Sequence, residues 1–87
     1  MLELRFKNGD FAAFGYPYFA GMNFDASGVL TLYFAGNKVT VEGRNLKPVF
    51  DGLLRHVVGF LREEAEEYSD APESETFIHT ITIEPLD

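Results

Sequence analysis

The feature that most narrows the fold is a run of alternating side chains on both sides of a tight turn. Val29-Leu30-Thr31-Leu32-Tyr33-Phe34 leads into Ala35-Gly36-Asn37, and Lys38-Val39-Thr40-Val41-Glu42 runs back. Period-two alternation sets Leu30, Leu32 and Phe34 on one face of a strand, and Val39 and Val41 on the inward face of the next. Turn chemistry and alternation agree, so the segment predicts an antiparallel hairpin with one dry face and one wet face.

The same period opens the chain. Leu2, Leu4 and Phe6 alternate with Glu3, Arg5 and Lys7, and Asn8-Gly9-Asp10 supplies the positive φ angles of a hairpin turn. A second strand is expected from Phe11 to about Tyr16 or Phe19, with Pro17 marking an edge, bulge or loop. After Gly43-Arg44-Asn45 the period changes. Leu46, Val49, Phe50, Leu53, Leu54, Val57, Phe60 and Leu61 recur at helical spacing. Asn45 as N-cap and Pro48 in the first turn mark the start, and Pro72 limits the end. One long helix is therefore expected as far as about Tyr68. Phe77 to Glu84 is rich in β-branched residues and reads as a last strand.

The element order is ββββαβ. It predicts a two-layer α+β fold, with one mainly antiparallel five-stranded sheet and a single long helix packed on one face. The 87 residues make one domain, 1–87. Half of such a sheet would remain uncovered. Its polar face would carry Glu3, Arg5, Lys7, Thr31, Tyr33, Thr40, Glu42, Thr80 and Thr82.

Composition excludes several functions. There is no cysteine, hence no disulfide framework and no thiolate metal site. A formal charge of -7 argues against nucleic-acid or anionic-membrane binding, which needs clustered Lys and Arg. The longest charge-free stretch, Phe11 to Phe24, is too short and too broken by Gly and Pro to span a bilayer. The N-terminus has no apolar core of a signal peptide. A cytoplasmic protein is expected.

Several features are candidates for function. Residues 63–87 hold nine acidic and no basic side chains. Glu63, Glu66 and Glu67, with Asp70, would line one face of the long helix as an acidic surface for a basic partner. No histidine accompanies them and no calcium-loop spacing appears, so no metal site is expected. Gly52 and Gly59 are seven residues apart, on one helical face beside His56. Helical glycine costs roughly 1 kcal/mol relative to alanine, which points to close approach by another chain or loop. Tyr16, Tyr18, Phe19 and Met22 belong to an aromatic run between Phe14 and Phe24, punctuated by Gly and Pro. That run either plugs the open end of the core or forms a contact surface. His79 alternates with Phe77, Ile81 and Ile83, which places it on a buried face. Neither histidine lies near a nucleophile motif, so no catalytic residue and no cofactor are expected.

The functional expectation is a small non-enzymatic interaction domain that self-associates as a dimer. Two alternatives stand beside it. One is a ligand-binding protein or enzyme with a pocket between helix and sheet, lined by Tyr16, Tyr18, His56 and His79. The other is an acidic adaptor or inhibitor that docks on a basic protein.

Overall fold

The computed structural model describes residues 1–64 and 76–86. The protein is α+β, but its strands form two sheets and its helix is short. The elements in chain order are β1 (Leu2–Arg5), β2 (Phe11–Phe14), a 3-10 turn (Tyr16–Tyr18), β3 (Phe19–Phe24), β4 (Leu30–Phe34), β5 (Asn37–Arg44), α1 (Lys47–Leu54), β6 (Phe60–Arg62) and β7 (Phe77–Pro85). One sheet has the order β2-β1-β6 and the other β3-β4-β5-β7. In the first, β1 pairs antiparallel with β2 and parallel with β6. All pairings in the second are antiparallel.

The predicted hairpin is present. Phe34 faces Asn37 across a two-residue loop, and Leu32 faces Val39. Gly36 takes φ 84 in that loop, and Gly9 takes φ 98 in the turn after β1. Leu30, Leu32, Phe34, Val39 and Val41 are all buried. They join Leu2 and Leu4 of β1, Leu46 and Leu53 around α1, Leu61 of β6, and Ile78 and Ile81 of β7. Both sheets thus share one core with the helix. Among the described residues no polar or charged residue falls in the buried class. No described helix is long and apolar enough to cross a membrane.

The expected single five-stranded sheet is corrected here, since the 3-10 turn at Tyr16–Tyr18 passes the chain from one sheet to the other; the expected long helix is also corrected, and the cause of that lies at His56. Three backbone bonds close the helix: Arg55 N–H to Gly52 O at 3.2 Å, His56 N–H to Leu53 O at 3.1 Å and Val57 N–H to Gly52 O at 3.1 Å. His56 sits at φ 55. This is a Schellman closure, with histidine in the left-handed position that glycine usually fills. Histidine is one of the few side chains enriched in that region. The chain then folds back, and the apolar spacing that continued the helix on paper belongs to β6 instead. Leu61 is buried against the core, while Leu54 and Val57, expected in the helical stripe, are 60% and 68% exposed.

A second correction concerns β7. Glu42 faces Thr80, yet Gly43 faces Ile78, so β7 spends one extra residue, His79, at a bulge. The alternation slips by one residue there. Ile78 and Ile81 are buried and His79 is exposed, the reverse of its expected placement.

Candidate interaction surface

The aromatic run closes one end of the core and also borders an apolar trough. Phe14 stacks on Phe34 with ring centroids 4.8 Å apart, and Phe19 stacks on Phe34 at 5.1 Å. These rings close one end of the core. The 3-10 turn then swings Tyr16 toward the helix terminus. Its hydroxyl donates to the Val58 carbonyl at 2.5 Å, and its ring lies on the His56 imidazole, centroids 4.5 Å apart and planes 19° from parallel. Phe19 completes the group at 5.9 Å from His56 and 6.2 Å from Tyr16. The left-handed backbone of His56 that ends the helix also aims its ring at this stack. Burial raises the Tyr16 pKa above its ordinary value of 10.0. The phenol therefore stays protonated near neutral pH and acts as a fixed donor, not as a base.

Beside the stack lies an apolar trough of about 300 Å³. Phe19, Ala20, Gly21 and Met22 of β3 form one wall, and Phe50, Leu53, Leu54 and His56 form the other. Phe24 stacks on Phe50 at 5.7 Å and fixes the helix against the strand. Among the described residues, β3 has β4 on one side and no strand on the other. Its residues Phe19 to Phe24 carry no charge, and neither lysine nor proline blunts the strand itself, as edge strands commonly require.

The opposite edge of the same sheet is treated differently. On β7, the Glu63 carboxylate accepts the Ile81 N–H at 2.7 Å through Oε2 and the Lys7 N–H at 3.1 Å through Oε1. The Glu64 N–H bonds the Ile78 carbonyl at 2.9 Å. The far end of β7 carries Glu84 and Pro85.

Of the residues singled out in the sequence, Tyr16, Phe19, Met22 and His56 come together here. Tyr18 is 63% exposed and stands apart from the trough. Gly52 is buried, and a Cβ there would meet Val58 Cγ2 at 2.7 Å. The close approach it allows is by the returning chain of this same molecule. Gly59 is outside the helix, and its carbonyl accepts the Glu3 N–H at 3.0 Å. The two glycines therefore share no helical face. Glu63 is likewise outside any helix, with its carboxylate spent on backbone amides. Glu66, Glu67 and Asp70 lie outside the described residues. His79 lines a separate depression with Ser27, Glu42 and Phe77. The four-residue pocket of Tyr16, Tyr18, His56 and His79 is not assembled. Sequence reasoning missed Leu54 as a surface residue and β3 as a strand in its own right. A signal for the latter was present, since Met22 and Phe24 alternate with Gly21 and Asn23.

Among the described residues, no group of three or more His, Asp or Glu side chains is placed to hold a metal ion. Comparison with known proteins gives no matching family model, no matching curated protein and no matching solved structure. A functional reading therefore rests on the chemistry of this surface.

Proposed function

We propose that this chain is a small non-enzymatic interaction domain that self-associates as a dimer through the open edge of β3 and the trough beside it. The same reading assigns it to the cytoplasm. One observation carries it: the uncharged β3 edge borders an apolar trough, and Leu54 on the trough wall is 60% exposed. Exposed backbone groups and exposed apolar surface side by side are what strand addition needs. Charge favours the same place. A molecule of net charge -7 repels its copy least where neither surface carries a carboxylate.

Sedimentation velocity at tens of micromolar tests the proposal. A dimer is expected, and Leu54→Glu should return it to monomer while its circular dichroism stays that of the parent. A compact monomer across the whole concentration range overturns the proposal, as does a dimer that Leu54→Glu and Asn23→Lys both leave intact.

A further inference from the structure

We propose that two copies join β3 to β3, antiparallel, about a twofold axis beside Asn23, with Met22 of each copy opposite Phe24 of the other. This rests on the self-association proposed above and specifies its geometry.

The phase of the hydrogen bonds leads to the register. The Asp25 N–H bonds the Val29 carbonyl at 3.1 Å, which makes that cross-strand pair a bonded one. Bonded and non-bonded pairs alternate along an antiparallel ladder. The pairs Phe24–Leu30 and Met22–Leu32 are then non-bonded, and Asn23–Thr31 is bonded. Phe24 and Met22 turn their N–H and C=O groups away from β4, toward the open side. They are the groups a further strand would meet.

Symmetric pairings of these groups differ in what else they bring together. Met22 opposite Met22 carries the new strand into the irregularity between Phe19 and Gly21. Phe24 opposite Phe24 pushes Met22 against Ala26, beyond the end of the strand, and draws the two Asp25 carboxylates together. Met22 opposite Phe24 uses only the regular part of β3 and makes two reciprocal pairs of backbone bonds. It leaves the two Asp25 residues about 14 Å apart along the strands, beyond the screening length at physiological salt.

Side chains fit the same register. Met22 and Phe24 are half-buried on the core side, while Asn23 is exposed on the other. A twofold axis normal to the sheet keeps these faces together, so the second copy's Phe24 comes to lie beside Met22 at the lip of the trough. On the opposite face Asn23 meets its own copy in a non-bonded pair, with Cα atoms about 4.5 Å apart. Two carboxamides at that distance can each donate and accept.

The chain has no cysteine, so one introduced thiol reports on one position. Asn23→Cys should give a nearly complete disulfide-linked dimer under mild oxidation, because the expected Cα separation suits a disulfide. Thr31→Cys, one strand further in, should give none, since its copy would be about 14 Å away. In the unaltered protein, the Met22 and Phe24 amides should exchange at least tenfold more slowly in the dimer than on dilution to monomer. If the protein is a dimer but Asn23→Cys stays unlinked, or these amides are not slowed, the pairing is wrong and the self-association stands. If the protein is a monomer, both fall.

Discussion

Gly43 is exposed at the surface, yet its replacement by alanine should be among the most damaging small changes in this molecule. A Cβ at Gly43 would lie 1.9 Å from the Phe77 carbonyl oxygen, 2.9 Å from the Phe77 carbonyl carbon and 3.0 Å from Ile78 Cα. All three are backbone atoms, so no rotamer change relieves the clash. β7 must retreat by about 1.5 Å to reach ordinary contact distance. Overpacking of this kind costs about 1–3 kcal/mol. The retreat also stretches the ladder at Gly43–Ile78 and Arg44–Phe77, at about 1 kcal/mol for each bond weakened. Reduced freedom of the unfolded chain returns up to about 1 kcal/mol. The net expectation is a loss of about 2–4 kcal/mol, equal to roughly 10–30 °C in Tm for a domain of this size. Gly59→Ala is the control, since nothing lies within 4 Å of a Cβ there. It should change stability by no more than about 0.5 kcal/mol. Thermal and urea unfolding of both variants measure the difference. A Gly43→Ala protein that melts within a degree or two of the parent would refute the account of the bulge.

Two further outcomes are expected. Glu63→Ala removes the acceptor for two backbone amides and should cost about 2 kcal/mol in urea unfolding; the same variant should expose the Ile81 amide to faster exchange, and unchanged protection at Ile81 would count against the bridge. Asp25 gives a pH dependence of known sign. Its carboxylate accepts the Ser27 hydroxyl at 2.5 Å, the Ser27 N–H at 3.0 Å and the Val29 N–H at 3.1 Å, which holds its pKa below the ordinary 3.8. The stabilisation is complete above that ordinary value and declines below it. It is gone once the pH has fallen through the lowered folded pKa. Asp25→Asn should remove this component from the acid limb of the stability profile, and an identical limb in both proteins would rule it out.

The hairpin of β4 and β5 was legible because two independent local signals coincide there. Alternation chose the faces, and Gly36 supplied the left-handed turn. The same was true of β1, the turn at Gly9 and most of β7. What could not be read was where local pattern yields to a backbone event. The apolar spacing from Leu46 to Leu61 is equally good for one long helix and for a short helix, a reversal and a strand. The deciding event is the positive φ of His56, and histidine announces it far more weakly than glycine would. The bulge at Gly43 is similar. It shifts the phase of β7 by one residue, and only the cross-strand partner reveals it. At the candidate surface, Tyr16, Phe19, Met22 and His56 were singled out as residues. Their convergence followed from the helix ending early, so spacing along a long helix could not show it. Leu54 was misplaced for the same reason.

The Glu63 bridge has a consequence for how large an assembly can become. A carboxylate that occupies the outward amide of Ile81 acts as a chemical terminator on that rim of the four-stranded layer. Within that layer, strand addition is left to the β3 rim, and joining two such rims uses up both. Rim-to-rim stacking of four-stranded layers without limit, the hazard of any sheet with two bare rims, is opposed by one side chain that never leaves its own chain.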